Sequence, residues 1–269
     1  MGDWQAIEVE RRDEVEWVTM NRPDHLNALN DTLVEELSAY FGALAKDRDV
    51  RVVVLKGAGR AFCAGLDLGE GGRETFDTID RLRHQRSIAE IVMRMRYAPQ
   101  PIVSLVHGPA CGGGFAMALA SDIRIAGESA RMNAAFIRLG LSACDIGVSY
   151  FLPRLVGASV AAELMLTGDF IHADRALATG LVSRVVPDAE MAAAAAPLID
   201  AMLTTSPLGL RLTKECLRMS LDAPSLEAAV AMEDRNQILA ATSPDFGEGI
   251  RAFFEKRRPN YAKKKEQAA

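Results

Sequence analysis

The chain has 269 residues, of which 49% are hydrophobic and 25% are charged, and its formal net charge is −5. This balance is typical of a globular domain with a sizeable core. The net acidity argues against nucleic-acid binding, which requires a basic surface. No apolar run approaches the roughly eighteen residues of a membrane span, and no signal peptide is recognised.

The cysteines and histidines are scattered. They lie at Cys63, Cys111, Cys144, Cys216, His25, His84, His107 and His172. No C-x-x-C pair and no metal-ligand spacing occurs among them, so we expect free thiols in a reducing cytoplasm, no metal and no membrane partner.

Strands and helices alternate in the first half of the chain. Alternating apolar residues predict a hairpin, and a helix follows a capping Asn30 or Asp31. The predicted strands lie at 6–10, 15–20, 51–55, 102–106 and 122–126, and the predicted helices at 32–46, 80–96 and 115–120, with a mobile loop over 68–80. This alternation predicts βαβ crossovers and a largely parallel sheet.

The second half is richer in helices. Helices are predicted at 158–166, 173–179, 189–204, 208–220 and 225–240, with a strand at 181–186 and a kink or break at Pro197. We therefore expect a core over residues 1–200 and a helical C-terminal region over residues 201–269.

Two glycine-bearing turns follow predicted strands. The first contains Gly65 within residues 61–67, and the second is Gly112-Gly113-Gly114 at the start of a predicted helix. Turns of this kind can direct two backbone N–H groups to one point, where they stabilise negative charge on a carbonyl oxygen. The pair predicts an oxyanion hole.

Several motifs occur in one order along essentially the whole chain. They are Asn21-Arg22-Pro23 with Asn27-Ala28-Leu29, the turn at 61–67, His107 through Gly114, Ala120 through Arg124, Leu166-Thr167-Gly168-Asp169 through Val182, and the ending Phe253 through Arg257. Together they resemble the crotonase (enoyl-CoA hydratase/isomerase) superfamily.

The resemblance implies an α/β spiral of ββα units, a C-terminal helical region that forms homotrimers or hexamers, and a coenzyme A thioester as substrate without a further cofactor. By motif matching, the oxyanion hole would be formed by the N–H groups of Leu66 and Gly113. The residues expected to contact the thioester or its coenzyme are Arg22, Ala28, Ala64, Leu66, Asp67, Gly112, Gly113, Phe136, Tyr150 and Lys256. Arg257 and the lysines of the tail are further candidates for the coenzyme phosphates.

The usual acid and base of a family hydratase are replaced. The two glutamates of that mechanism would lie at Ala116 and Phe136, and neither side chain can transfer a proton. Asp145 matches an aspartate of the dienoyl-CoA isomerase and 4-chlorobenzoyl-CoA dehalogenase branches, where it acts as a base or as a nucleophile. We therefore interpret Asp145 as catalytic, with a helix N-cap or a surface position as the alternative. His84 is expected to be a solvated residue.

The leading hypothesis is a C=C isomerase of CoA thioesters that uses Asp145 as its base. The alternatives are an enoyl-CoA hydratase with an atypical mechanism, a non-catalytic acyl-CoA-binding protein, and other enolate chemistry such as C–C cleavage or displacement.

Overall fold

A six-stranded sheet organises the protein, whose computed structural model describes residues 4–69 and 76–261. The strands are β1 (Ile7–Arg12), β2 (Val15–Met20), β3 (Val52–Gly57), β4 (Ile102–Val106), β5 (Pro109–Cys111), β6 (Ile123–Gly127), β7 (Arg131–Asn133), β8 (Ile171–His172) and β9 (Arg184–Val186). The helices are α1 (Asp31–Ala43), α2 (Thr78–Tyr97), α3 (Gly113–Ala120), α4 (Val148–Val156), α5 (Ala158–Thr167), α6 (Ala173–Ala178), α7 (Met191–Leu203), α8 (Pro207–Ser220), α9 (Leu226–Ala241) and α10 (Pro244–Glu255).

The main sheet has the order β1-β2-β3-β4-β6-β9. Only β1 and β2 pair antiparallel, as the predicted hairpin, and the other neighbours are parallel. Parallel strands require crossovers and are covered on both faces, which explains the near-continuous apolar runs of β3 and β4. The predicted parallel sheet is confirmed.

The two faces of the sheet have separate cores. Val53 and Leu55 of β3 join the larger core, which includes residues of α1, α2 and α3. Val52 and Val54 point to the opposite face and join a smaller core with residues of α7. The alternation follows from the twofold periodicity of a strand.

A second, smaller sheet has the order β5-β7-β8 and was not predicted. Its strands have only two or three residues each, too few for an alternating pattern to be recognised in the sequence. It matters because β5 leads directly into the second glycine turn.

Several boundaries differ from the prediction. Helix α2 begins at Thr78 because the Asp77 side chain accepts a hydrogen bond from the Asp80 N–H at 2.8 Å and caps it. Helix α7 continues through Pro197 instead of breaking there. The helix α4 and the 3-10 turn Ala135–Leu139 were not predicted. The loop predicted over 68–80 lies partly outside the described residues.

Helix α8 is anchored to the core by a buried lysine. The Lys214 ammonium lies 2.7 Å from the Asp122 carboxylate and donates to the Gln100 carbonyl at 2.8 Å. Helices α8 to α10 nevertheless leave large apolar side chains exposed to solvent. They include Leu217, Leu226, Ile238, Phe253 and Phe254.

No helix in the described part of the chain is by itself long and apolar enough to span a membrane. One strongly bent pair, Asp188–Leu203 with Pro207–Ser220, meets the length and composition of a span only when the two are taken together.

Candidate active site

Asn27 holds the first glycine turn in place. Its fully buried side chain donates to the carbonyls of Ala58 and Ala61, both at 2.8 Å, and accepts from the Arg22 N–H at 2.9 Å. A buried amide that satisfies several backbone groups fixes the path of the segment between them. The Asn-x-Leu part of the N-terminal motif therefore positions the turn.

The two glycine turns are joined by backbone hydrogen bonds. The Cys63 N–H donates to the Pro109 carbonyl at 3.1 Å, and the Cys111 N–H donates to the Cys63 carbonyl at 2.9 Å. The Gly112 N–H is taken up by the Asn133 carbonyl of β7 at 3.0 Å. The small sheet and the first turn thus form one framework beneath the start of α3.

The backbone places the two predicted oxyanion donors near each other. Gly65 has φ +97°, and a Cβ on it would lie 2.9 Å from the Cys111 carbonyl oxygen and 3.7 Å from the Gly113 nitrogen. Both facts require glycine at this position. Leu29 pairs with Leu66 through the Gly65 carbonyl and the Asp67 N–H, so the Leu66 N–H faces away from Leu29.

Neither of these two N–H groups has a hydrogen-bond acceptor within the described residues. The Gly113 N–H belongs to the first residue of α3, where no intrahelical acceptor exists and the helix dipole adds partial positive charge. Two free donors at adjacent backbone segments can bind one carbonyl oxygen and stabilise it as an oxyanion.

Arg22 and Asp67 form an ion pair at the edge of this framework. Both guanidinium NH groups of Arg22 lie 3.0 Å from Asp67 Oδ2, and Nη1 also donates to the Ala28 carbonyl. Burial alone would raise the pKa of Asp67, but the Gly69 N–H and Arg22 outweigh it and hold that pKa below its ordinary value. The Arg22 guanidinium therefore binds groups of the protein itself, the Ala28 carbonyl and the Asp67 carboxylate at the end of the first glycine turn.

Apolar side chains surround the donor pair. The Phe136 ring lies 3.3 Å from the position of a Cβ on Gly112, and Leu29 and Ile146 lie over Gly113. Ala116, the position of the first missing glutamate, is completely buried. Apolar walls exclude water, and the low dielectric strengthens a hydrogen bond to developing charge.

Asp145 is half-buried and directly precedes Ile146 in the chain. Its Oδ1 accepts hydrogen bonds from Gln85 Nε2 of α2 at 2.5 Å and from the Ile146 N–H at 2.8 Å. Burial raises the pKa of Asp145 above its ordinary value, although both hydrogen bonds act in the opposite direction. The N-cap alternative is wrong, because Gly147 occupies the N-cap of α4 and no side chain caps that helix.

Ile146, the residue after Asp145, lies near the second glycine turn. Its Cδ1 lies 3.6 Å from the position of a Cβ on Gly113, and its backbone has φ +34°. A positive φ is costly for a β-branched residue, on the order of 1–3 kcal/mol. Sequence reasoning did not identify Ile146 or Gln85, since neither residue type indicates a site by itself.

The remaining predicted residues have varied positions. The Ala64 N–H donates to the Leu26 carbonyl at 3.0 Å, which ties Ala64 to the first turn. The Tyr150 hydroxyl donates to Asp222. Lys256 is the exposed C-cap residue that follows α10. No hydrogen bond or ion pair among the described residues joins it to the glycine turns. The tail lysines lie outside the described residues.

His84 is not the solvated residue that was expected. Its side chain is only 18% exposed, its Nδ1 lies 3.6 Å from Asp31 Oδ1, and its ring lies against Phe76. The charged pattern around His84 in α2 concealed this inward orientation, because the helix packs against α1 at this point.

The cysteines are free thiols, and burial raises the pKa of the Cys63 thiol to about 12, so it is protonated at neutral pH. Within residues 4–69 and 76–261 no group of three or more His, Cys, Asp or Glu side chains is arranged to hold a metal ion.

A family model described as "Enoyl-CoA hydratase/isomerase" matches residues 10–264. The chain belongs to this family. The resemblance inferred from the motifs is thereby confirmed, and the chain is an enzyme of the enoyl-CoA hydratase/isomerase family.

Individual proteins support the same assignment. The chain is 38% identical to "Probable enoyl-CoA hydratase EchA12" of Mycobacterium tuberculosis, over 92% of this chain and 89% of that protein. It is 34% identical to "1,2-epoxyphenylacetyl-CoA isomerase" of Escherichia coli, over 92% and 94%. The crystal structure of an enoyl-CoA hydratase from Bacillus anthracis matches with a TM-score of 0.90 at 33% identity, over 96% of this chain and 99% of that chain, which confirms the predicted α/β fold.

Proposed function

We propose that the protein is an acyl-CoA isomerase that moves a C=C bond through a thioester enolate, with Asp145 as its base. The proposal is supported by the position of Ile146, the residue that follows Asp145, because its Cδ1 lies 3.6 Å from the position of a Cβ on Gly113, the residue that carries one of the two free N–H groups. The two positions of the missing glutamates, Ala116 and Phe136, are apolar and buried.

The mechanism requires one base and one oxyanion hole. The thioester oxygen accepts hydrogen bonds from the Leu66 and Gly113 N–H groups, and the Asp145 carboxylate removes a proton from an allylic carbon of the acyl chain. The electron pair moves into the conjugated system and onto the oxygen, forming a dienolate. Asp145 then returns the proton to the other end of that system. One oxyanion donor contributes about 2.7–4 kcal/mol to such a barrier.

The environment of Asp145 suits this role. A carboxyl group whose pKa is raised by burial is a stronger base once ionised and returns a proton readily. Hydration would need a second group to position and activate water, and neither Ala116 nor Phe136 supplies one. One relative is named for isomerisation of an epoxide, which is a different reaction from movement of a C=C bond, and the relatives named as hydratases keep hydration as the second candidate.

The test is a panel of saturated, 2-enoyl, 3-enoyl, dienoyl and aryl CoA thioesters incubated in D₂O with the wild type and with Asp145→Asn. Mass spectrometry then follows deuterium and water in each product. We expect deuterium in the acyl chain without gain of water, and a loss of at least about a hundredfold in the variant, since general-base catalysis contributes about 10²–10⁴-fold.

Other outcomes identify the alternatives. Gain of water would show a hydratase. No exchange on any thioester that calorimetry shows to bind would indicate a non-catalytic binding protein. A covalent acyl group trapped on Asp145 would indicate displacement chemistry.

We further propose that residues 201–269 form the oligomerisation region of a homotrimer or a dimer of trimers, with residues 1–200 as the catalytic core. The exposed apolar side chains of α8 to α10 support this proposal, because a surface so rich in Leu, Ile and Phe is usually covered. Lys256 would then bind a coenzyme phosphate across the subunit boundary. Arg257 is less suited, since Glu248 and Glu255 already pair with it.

A further inference from the structure

A cavity of about 840 Å³ lies between α2, α4, α8 and α9, and its lining includes Ile146 and Gly147, which follow Asp145 in the chain. The Cδ1 of Ile146 also lies 3.6 Å from the position of a Cβ on Gly113, so this side chain borders both the cavity and the segment of the candidate oxyanion donors. An acyl chain whose thioester oxygen is bound by those donors therefore has this cavity as the adjacent space.

The cavity is strongly cationic although the chain is acidic overall. Arg86, Arg96, Arg218 and Arg235 line it, and among the described lining residues Asp222 is the one carboxylate. The Asp222 carboxylate is already bound by the Tyr150 hydroxyl and, at 3.0 Å, by Arg154, which is not a lining residue. The lining therefore has an excess of positive charge.

Two of these arginines form no ion pair in the described part of the chain, although the charge of Arg96 does act on the Asp222 carboxylate. Arg86 pairs with Glu90 at 3.1 Å and Arg235 with Glu215 at 3.4 Å, but no ion pair involves Arg96 or Arg218. The guanidinium groups of Arg96 and Arg218 are therefore available to pair with an anionic ligand.

Aromatic rings orient the two unpaired guanidinium groups. The Arg96 guanidinium lies 5.8 Å from the centre of the Phe151 ring, and that of Arg218 lies 4.2 Å from the centre of the Tyr97 ring. Stacking holds a guanidinium plane in place while leaving its N–H groups available for a planar anion. The arrangement suits a carboxylate.

The rest of the lining is apolar. Ala89, Val92, Met93, Phe151 and Met232 form much of the wall. Such walls favour methylene or ring carbons, and the arginines favour an anion at one end. The cavity thus matches an amphiphile with a hydrocarbon body and a negatively charged terminus.

We infer that the preferred acyl group carries a second carboxylate at its distal end, so that the substrate is the CoA thioester of a dicarboxylic acid, held by Arg96 and Arg218. This inference rests on the proposed function, because the cavity is taken to receive the acyl chain. A phosphate of the coenzyme is the other anion that the same two arginines could bind, and the test separates the two sources.

The test uses calorimetric binding to Asp145→Asn, which prevents turnover. Three thioesters of equal chain length end in a carboxylate, a carboxamide or a methyl group, and free coenzyme A is the fourth ligand. Each is measured with Arg96→Met, Arg218→Met and, as a control, the exposed α2 variant Arg83→Met, all in the Asp145→Asn background.

We expect the carboxylate thioester to bind about ten- to a hundredfold more tightly than the carboxamide, since a hydrogen bond to a charged group is worth about that much. Arg96→Met and Arg218→Met should abolish this preference and leave the methyl thioester within about twofold of its original affinity. Arg83→Met should change neither value. Added salt should weaken only the carboxylate thioester beyond the loss seen with free coenzyme A.

Equal weakening of all three thioesters and of free coenzyme A would overturn the inference in favour of phosphate binding. Unchanged affinities in both arginine variants would overturn it outright. The proposed isomerase activity is judged separately, by turnover of the wild type. Selective binding of the carboxylate thioester without isomerisation would refute the activity while leaving the inference intact.

Discussion

At the scale of single residues, neighbouring glycines of the second turn have different reasons for being glycine. A Cβ on Gly114 would lie 2.1 Å from the backbone oxygen of Cys63, which cannot move without separating the two turns. A Cβ on Gly113 would instead meet the end of the Leu29 side chain at 2.6 Å, and that side chain can rotate. Glycine is required at position 114 because the neighbouring backbone leaves no room for a side chain. At position 113 it keeps the space beside its own N–H group open.

We therefore expect Gly114→Ala to lower the free energy of unfolding by about 3 kcal/mol or more, as overpacking against rigid backbone does. Gly113→Ala should cost about 1 kcal/mol in stability but weaken thioester binding and turnover, because its methyl group would displace the Leu29 side chain next to the proposed donor N–H. Urea unfolding and steady-state kinetics on both variants check this. Equal stability losses would contradict it.

Gln85 is one of two hydrogen-bond donors that lower the pKa of Asp145 against the larger effect of burial. Its hydrogen bond favours the ionised carboxylate, so Gln85→Met removes a contribution that lowers the pKa of Asp145. The pKa should rise further, and because the base must be ionised, the acid limb of the kcat/KM profile should shift to higher pH. A pH–rate profile of the variant tests this. An acid limb that stays in place or moves to lower pH would refute the role of Gln85.

At the scale of elements, the position of α8 depends on Lys214. The Lys214 ammonium is almost fully buried, and removing it would leave the carbonyls of Met95 and Gln100 without their donor and Asp122 with only the Ile102 N–H. Breaking a buried pair in this way is far more costly than losing a surface ion pair.

Lys214→Met should lower the free energy of unfolding by about 3–5 kcal/mol. The exposed Lys46→Met is the control and should stay within about 0.5 kcal/mol of the wild type. Urea denaturation followed by circular dichroism measures both. If the two variants were equally stable, α8 would be held by apolar packing and not by this pair.

The longer helices and strands were predicted well from the sequence, because their apolar patterns extend over enough residues to be recognised. The apolar runs of β3 and β4 and the cap of α1 at Asn30, which accepts from the Leu33 N–H at 3.0 Å, were recognisable locally. The small sheet was not, because its strands gain their pairing from distant segments such as β7 and β8. Proline at position 197 was overridden by the tertiary packing of α7.

At the scale of the whole molecule, the apolar surface of α8 to α10 is the feature that remains uncovered. Phe253 and Phe254 are 78% and 77% exposed, at one end of α10. Side chains of this size contribute about 1.5–3 kcal/mol each when they are fully buried. Association of chains through these helices would supply that burial.

Analytical ultracentrifugation should accordingly give about three times the chain mass of 29.1 kDa for a trimer, or about six times that mass for a dimer of trimers. Phe253→Ser combined with Phe254→Ser should shift the population towards single chains at micromolar concentration. Leu166→Ser, an exposed apolar residue of α5, is the control and should leave the assembly intact. A wild type that sediments as a single chain would contradict the proposed oligomerisation region.

The sequence by itself determined the parallel sheet, the two glycine turns and the family, because apolar periodicity, turn residues and motif order are local properties of the chain. It also showed that Ala116 and Phe136 cannot serve as acids or bases. Only the tertiary structure decided the surroundings of Asp145, since its hydrogen bond to Gln85 and the approach of Ile146 to the Gly113 segment join residues far apart in the chain. The inward position of His84 and the arginine-lined cavity were likewise decided by helices packing together, because the direction of a side chain depends on its neighbours in space.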